Sequence, residues 1–420
     1  MKLFTALENE VVAEPVTECQ RRIQALEEEL SDHEVNAAYA NADANRTISN
    51  NAEADVGTLT KVNDILTEAT ESNKVLTKDV LQMTRVVTES ICSRLGYKVT
   101  SGLFISTEDV DASTKYQDAI SMESFGEVIK RTWEAIIKFF QRIAEGIKTL
   151  WGKLFSRTKI TKIKNEQNSR LIKELKHVPQ EKSKTLKTID LKNLSELYRL
   201  TGYIKKNTDP ESNKDQIFDA ISNTVESATN FMSTLEEDIS DLFKQLDKIS
   251  QLNDIESIER LVDLKTHEYI LTRDPYFKRI NCRLSIDSVN KQIKPGTSWG
   301  IYTRAEFNPP SELKNNYTCN IQNTEELDNL NKDLKKLDDI LLSFFNISSE
   351  IRNKLNKITS DLNKELDKYQ GEDDIIRHKL FATSTINKIL EIYIVTIPHL
   401  CSDISTNAGV YVTKNLQELT

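Results

Sequence analysis

The stretch that decides the fold is SMESFGEVIKRTWEAIIKFFQRIAEGIKTLWGKLFSRTKITKIK, residues 121–164. Its apolar side chains recur at intervals of three and four residues, which places them on one face of an α-helix. Ser124 followed by Glu127 fits a capping box and predicts that the helix begins at Ser124. The predicted amphipathic face consists of Phe125, Ile129, Trp133, Ile136, Phe140, Ile143, Ile147 and Trp151.

The charge of the chain changes sign at this stretch. Residues 1–123 carry 11 Lys and Arg against 22 Asp and Glu, whereas residues 124–164 carry ten against three. Such an asymmetry indicates that the two parts have different partners. The sequence therefore divides into an acidic N-terminal arm (1–123), a basic amphipathic helix (124–164) and a helical body (165–420).

The fold class follows from helical periodicity and from the scarcity of turn formers. Only 11 Gly and 8 Pro occur in 420 residues, which favours long helices. Apolar residues at coiled-coil spacing over 211–263 and 325–370 predict a long antiparallel pair. We predict an all-α, elongated helical bundle with this coiled-coil-like pair and a helical or partly disordered N-terminal arm.

Three further features are predicted around that pair. Pro179 should separate two helices within 166–207, and Pro398 should separate the final helices, 374–396 and 398–416. Residues 265–322 contain most of the turn formers of the body together with many aromatic residues. The alternating segments RLSID and WGIYTRAEF in that range predict a small loop-rich insertion with short β-strands.

Motifs that carry enzyme chemistry are absent from the sequence. The five His are far apart, and no HExxH, GxSxG, GxGxxG or P-loop pattern occurs. The five Cys never occur at CxxC spacing, which indicates free thiols in a reducing compartment. We predict no catalytic residue, no metal site, no cofactor and no enzyme activity. No apolar run approaches the ~18 residues of a membrane span, and a secretory apolar region is not recognisable at the N-terminus.

The apolar face of residues 124–156 is open to three interpretations. Packing in a core or against a partner helix is favoured, because an apolar stripe at helical spacing usually faces a core. Trp and Phe opposite Lys and Arg also fit binding at a membrane surface. The basic flank would in addition suit contact with nucleic acid.

Three segments carry a resemblance to a known family. ESICSRLGY (89–97), FISTEDV (104–110) and SMESFGEVIKRTWEAIIKFF (121–140) resemble the propeptide and maturation junction of internal head proteins of large contractile-tailed bacteriophages, the phiKZ-like phages among them. The resemblance implies an acidic propeptide that directs the protein into the immature head. It also implies a prohead protease that cuts after the Glu of a small-x-Glu triplet.

Carried over to this sequence, Ser121, Met122 and Glu123 form the triplet, and Ser124 is the first mature residue. Ser106 and Glu108 mark a secondary cleavage candidate. Further trimming sites would follow Glu8, Glu27 and Glu71.

The resemblance implies a structural virion protein, assembled in the host cytoplasm and retained inside the head after cleavage. Its implied partners are the prohead protease, other head or inner-core proteins and packaged DNA, and self-association is left open. The alternative is a membrane-active helical protein, toxin-like or envelope-remodelling, that acts through residues 124–156.

Overall fold

The computed structural model describes residues 78–94, 122–176, 188–192, 216–261, 282–286, 299–303, 316–368 and 374–419, together with isolated helical positions between 37 and 65. The helices in these ranges are α1 (Lys78–Arg94), α2 (Met122–Lys176), α3 (Gln216–Ile249), α4 (Ile255–Leu261), α5 (Thr324–Asn346), α6 (Ser348–Lys368), α7 (Asp374–Glu391) and α8 (Ile397–Leu419). A π-helical turn, Ile392–Thr396, joins α7 to α8. The predicted all-α bundle is confirmed.

Helix α2 is a single helix of 55 residues. The predicted start at Ser124 is wrong, because the helix begins two residues earlier, at Met122. It also continues past residue 164, where the basic helix was predicted to end. Neither Gly nor Pro occurs between Gly152 and Pro179, and the apolar stripe continues through the buried Ile160 and Ile172. Nothing in the sequence therefore ends the helix before its last turn at Lys176.

Helices α2, α3, α5 and α8 form the centre of the bundle. Helix α5 lies antiparallel to α2, because Lys176 of α2 pairs with Asp328 near the start of α5, at 2.7 Å. Further back along α2, Lys162 pairs with Asp339, at 2.6 Å.

The predicted antiparallel pairing of 211–263 with 325–370 is wrong. Glu226 of α3 lies near Asp333 of α5, and Asp247 at the end of α3 pairs with Lys357 of α6 at 3.0 Å. Helix α3 therefore runs in the same direction as the α5–α6 segment. The 62 residues between Leu261 and Thr324 are long enough to return the chain to the starting end of α3, so the two helices need not alternate in direction.

Trp151 of α2 anchors the bundle centre. Its ring is 2% exposed and packs on Phe344 and Phe345 of α5, with centroid distances of 5.0 and 5.8 Å. Its indole Nε1 donates a hydrogen bond of 2.8 Å to the carbonyl oxygen of Ile394 in the π turn.

Pro398 does not separate two helices as predicted. The chain stays helical through it, because α8 begins at Ile397 and follows the π turn directly. Proline has no N–H for the carbonyl four residues earlier, which here belongs to Ile394, and its ring crowds that carbonyl. The wider π turn accommodates the proline, and Trp151 Nε1 donates a hydrogen bond to the Ile394 carbonyl, which cannot accept one from Pro398.

Short strands lie between the helices. Cys282–Ile286 (β2) pairs antiparallel with Trp299–Thr303 (β3), which confirms the predicted β element of the insertion. Thr188–Lys192 (β1) pairs antiparallel with Asn316–Asn320 (β4). Strand β1 falls in a range predicted to be helical, and its partner is distant in sequence, so local periodicity gave no sign of it.

The acidic arm contributes to the same apolar core as the body. Among its described residues, Ala52, Leu59, Val62 and Ile91 are at most 7% exposed and belong to the core that contains Trp151. The opposite side of α1 is open, since Met83 and Val86 are 70% and 57% exposed. Part of the arm is therefore packed, even though its composition is acidic.

Helices α2 and α8 lie parallel and are joined by polar side chains. Arg157 Nε donates to Ser402 Oγ at 3.0 Å, the hydroxyls of Thr161 and Thr406 are 3.2 Å apart, and Asn168 Nδ2 donates to Thr413 Oγ1 at 3.1 Å. In each pair the residues are 245 positions apart. We call these three pairs the α2–α8 polar seam.

Arg157 strengthens one end of the polar seam. Its Nη2 lies 2.6 Å from Asp403 Oδ1, and both side chains are nearly buried. Between the second and third pairs lies Gly409, where an added Cβ would be 2.9 Å from Asn165 Oδ1. The absence of a side chain at Gly409 therefore allows the close approach of the two helices.

Gly409→Ala should destabilise the protein, because the new methyl group would displace Asn165. The matched control is Gly152→Ala in α2, where an added Cβ meets nothing within 4 Å. The control should stabilise the protein by roughly 0.5–1 kcal/mol, the usual gain when Ala replaces Gly inside a helix. Urea unfolding of both variants measures the difference, and equal stabilisation by both would contradict the close approach at Gly409.

Candidate functional site at the start of the long helix

The first turn of α2 contains part of the predicted cleavage junction. Met122 is the first helical residue, and Glu123 and Ser124 follow within the same turn. Ser124 is therefore the third helical residue and does not cap the helix. Ser121 and the secondary candidates Ser106 and Glu108 lie outside the described residues. The junction is thus at a helix end, where backbone N–H groups have no partner within the helix.

The predicted amphipathic face is a core face wherever its side chains are described. Ile129, Trp133, Ile136, Ile147 and Trp151 are each at most 2% exposed. The other members of the predicted face, whose side chains lie outside the described part, are Phe125, Phe140 and Ile143. These five side chains are buried where other helices pack on α2.

The membrane alternative would require this face to be exposed. In the bundle it is covered by α5, α6 and α8. One stretch of the described chain, Asp374–Leu419, is long and apolar enough to cross a membrane by length and composition. The most apolar 18-residue window of that stretch is completely buried, as in the core helix of a globular protein. The described side chains of these two segments form no continuous apolar surface toward lipid in this conformation.

The solvent side of α2 is basic. Exposed positions of the described helix carry nine Lys and Arg against three Glu. They extend from Arg131 to Lys176, a distance of roughly 70 Å at the rise of an α-helix. The basic members of this outer face are Arg131, Lys138, Arg142, Lys148, Lys159, Lys164, Arg170, Lys173 and Lys176.

A buried polar cluster lies behind this outer face. Asn165 of α2, Asp338 of α5 and Ser405 of α8 are each at most 1% exposed. Asp338 accepts two hydrogen bonds, from Asn165 Nδ2 at 2.9 Å and from Ser405 Oγ at 2.5 Å. Asn331 of α5 donates through its Nδ2 to the backbone oxygen of Asn165, at 2.9 Å. The cluster therefore joins three helices through one carboxyl group.

Burial raises the pKa of Asp338 to about 7, and the hydrogen bonds from Ser405 and Asn165 oppose that shift. Asp339 nearby raises the pKa further, while Lys162 lowers it. Asn165 Oδ1 is buried without a hydrogen-bond partner in the described structure. Rotation of the Asn165 side-chain amide by half a turn would point its oxygen toward a protonated Asp338. The cluster can therefore form hydrogen bonds with both protonation states of Asp338.

Sequence reasoning missed this cluster. The available signal was polar residues beside an apolar stripe, since Asn331 and Asp338 lie seven residues apart next to Leu330 and Leu337. Single polar residues at such positions set the register of packed helices in coiled coils. In the described ranges, no three His, Cys, Asp or Glu side chains converge to hold a metal ion. The arrangement of the polar cluster is therefore that of a structural contact between helices.

The comparison with protein families tests the resemblance found at the junction. The family model of phiKZ-like phage internal head proteins matches residues 10–273. That match covers more than half of the chain.

The chain belongs to the phiKZ-like phage internal head proteins. It is therefore a structural protein of the phage, located inside the virion head, and it associates with other head proteins. No curated protein and no solved structure matches the chain significantly.

The family model matches the N-terminal part of the fold of this internal head protein. It spans the arm, α2, α3 and α4, and it runs across the junction at Glu123. The helices that cover α2, namely α5, α6 and α8, lie after residue 273. The matched and unmatched parts of the chain therefore share one core. Neither part could bury its apolar side chains without the other.

The pKa of Asp338 predicts how the stability of this head protein depends on pH. Folding raises that pKa, so the folded state holds a proton that the unfolded state releases between about pH 4 and pH 7. The free energy of unfolding should fall by up to about 4 kcal/mol over this interval and then level off. Urea unfolding between pH 4 and pH 8 measures this change.

Asp338→Asn removes the titrating group and keeps its size. Its amide can still accept from Ser405, and Asn165 can offer its oxygen to the new NH₂ group. The difference in stability between variant and parent should therefore grow in favour of the variant as the pH rises to about 7. Parallel pH profiles of the two proteins would contradict a raised pKa at Asp338.

Proposed function

We propose that this internal head protein is made as a precursor and is cut after Glu123 during capsid maturation. Residues 124–420 then remain in the head as a structural protein without enzyme activity. The observation that carries the proposal is the coincidence of two boundaries at the triplet: the change from acidic to basic charge and the start of α2 at Met122.

The position of the junction in α2 suits proteolysis. A protease binds its substrate in an extended form, so the first helical turn must open before the bond after Glu123 can be cut. Terminal turns open at low cost, because their N–H groups lack partners within the helix. The first described buried side chain of α2 is Ile129, more than one turn further on. Opening the first turn therefore leaves the described core contacts of α2 intact.

Cleavage would leave a new α-amino group on Ser124. A positive charge at a helix N-terminus costs a few tenths of a kcal/mol to about 1 kcal/mol. Glu127, less than one turn further on, offsets part of that cost. The mature helix should therefore begin close to the new terminus.

Removal of the arm also requires its packed residues to leave the core. Ala52, Leu59 and Val62 lie before Glu71, and Ile91 lies between Glu71 and Glu123. Cuts at both positions would divide these contacts between two fragments. Each fragment would hold only part of the buried area and would dissociate more readily than the intact arm. This division gives a physical reason for trimming at Glu71 as well as at Glu123.

The basic outer face of α2 supports packaged DNA as a partner of the mature body. The precursor has a net charge of −9, and loss of the arm leaves about +2 by the usual ionisation rules. Removing an acidic arm lowers the repulsion between the protein and DNA phosphates. The extended row of Lys and Arg would then neutralise phosphates without reading the base sequence.

Mass spectrometry of mature phage particles should find abundant peptides that begin at Ser124 and almost none from residues 1–123. Glu123→Gln should block the cut, since the proposed protease reads the Glu, and the precursor should accumulate. Glu127→Gln is the matched control, because Phe125 is not a small residue and no triplet ends at Glu127. Peptides from 1–123 at the abundance of the body would refute the proposed maturation.

Binding of residues 124–420 to duplex DNA should weaken linearly on a logarithmic salt scale. A variant with Lys138, Lys148 and Lys173 replaced by Gln should have a slope smaller by up to about 2.7, or 0.9 for each lost phosphate contact. Fluorescence anisotropy at several salt concentrations measures the slope. The control replaces Lys244, Lys354 and Lys364, which are exposed lysines on α3 and α6, and removes the same net charge. Equal slopes for the two triple variants would exclude the outer face of α2 as the DNA-binding surface.

A further inference from the structure

A cleft opens where the end of α3, the second half of α6 and the start of α7 meet. Its volume is about 490 Å³, within the range of small-molecule sites. The apolar floor is formed by Ile249, Ile358, Leu362 and Leu380, and each of these is at most 9% exposed. The cleft is far along the chain from the maturation junction and has no part in the proposed function.

The rim of the cleft is charged but internally neutral. Lys357 pairs with Asp247 at 3.0 Å, Lys364 with Asp361 at 2.9 Å, and Lys368 with Glu365 at 3.1 Å. Three lysines therefore meet three carboxylates, all of which line the cleft. The rim leaves no net charge for a polyanion to neutralise.

Lys379 differs from the three rim lysines, because it has no carboxylate partner among the described residues. Its side chain lines the cleft and is 7% exposed. Its ammonium group donates one hydrogen bond, of 3.3 Å, to the backbone oxygen of Ser250 just beyond α3. No carboxylate of the described residues lies within ion-pair distance of Lys379 Nζ.

The hydrogen bond to the end of α3 uses only part of the donor capacity and charge of the Lys379 ammonium group. The carbonyl end of a helix supplies about half a negative charge, and an ammonium group has three hydrogen-bond donors. One donor meets Ser250, which leaves two donors and part of the charge without a partner among the described residues. One additional anionic group in the cleft would stabilise an ammonium group in this position.

We propose that this cleft binds a monocarboxylate with a short aliphatic part. The carboxylate would accept hydrogen bonds from Lys379, and the aliphatic part would lie on the apolar floor. The neutral rim favours a single charge over phosphate or DNA. The same chemistry is offered by a free short-chain acid and by a glutamate side chain of a peptide.

Titration of the full chain with valerate, valeramide and inorganic phosphate tests the proposal. Valerate should raise the midpoint of thermal unfolding as its concentration rises, because a ligand of the folded state stabilises it. Valeramide has the same shape without charge and should have no effect, and phosphate should have less effect than valerate at equal ionic strength. Equal effects of valerate and valeramide, or no effect of any carboxylate, would overturn the proposal.

A capped Ala-Glu-Ala tripeptide distinguishes the two sources of the carboxylate. Stabilisation by the tripeptide at lower concentration than valerate would assign the cleft to an acidic peptide side chain. Stabilisation by valerate alone would assign it to a small free acid. Both results support a carboxylate site, and failure of both probes contradicts it.

Variants of the lysines then locate the binding. Lys379→Met should weaken binding at least about tenfold, the usual effect of losing a charge-assisted hydrogen bond, and Lys379→Arg should retain it. Lys364→Met, on the exposed rim, is the control and should bind as the parent does. Circular dichroism verifies that each variant is folded. Unchanged binding by Lys379→Met would overturn the proposal, and the comparison of valerate with valeramide decides the question if that variant does not fold.

Discussion

The hydrogen bond from Trp151 to Ile394 is the interaction on which the rest of the bundle depends. Pro398 has no backbone N–H to donate within the last helical segment, and the chain forms a π turn at Ile392–Thr396 just before it. The indole N–H of Trp151 donates to the carbonyl of Ile394, which Pro398 cannot reach with an N–H group. The same indole ring packs on Phe344 and Phe345, so one side chain connects α2, α5 and the π turn that precedes α8. Loss of this hydrogen bond from a buried carbonyl of the π turn should cost about 1–3 kcal/mol.

Beyond this anchor, polar contacts determine how the helices are aligned. Apolar burial favours close packing but does not fix the register of two long helices. The polar seam between α2 and α8 allows one register, because a shift by one turn would leave Arg157 without Asp403 and Asn168 without Thr413. Gly409 permits the close approach that these bonds require. The body that follows the proposed cleavage site is therefore held in one arrangement by polar contacts as well as by apolar packing.

Periodicity in the sequence was enough to predict the buried face of α2 and the helical class of the protein. It could not place the start of α2 to within a turn, because the capping-box pattern at Ser124 is a local signal and the helix begins two residues earlier, at Met122. It also could not give the direction of α3 relative to α5, because a long insertion permits either direction. The cluster around Asp338 comes from three helices that are far apart in sequence, and no local pattern brings them together. The family resemblance was carried by short segments around the junction, which periodicity alone would not have identified.

The central claim is that α2 and α8 are held in one parallel register in the body of this head protein, with or without the arm. Disulfide formation tests it in the precursor and in residues 124–420. With Cys at positions 161 and 406, whose hydroxyls are now 3.2 Å apart, oxidation should link α2 to α8 in both forms. Cys at 161 and at the exposed position 410, one turn further along α8, should remain unlinked. Linkage of 161 to 410, or loss of the link between 161 and 406 once the arm is absent, would contradict the account.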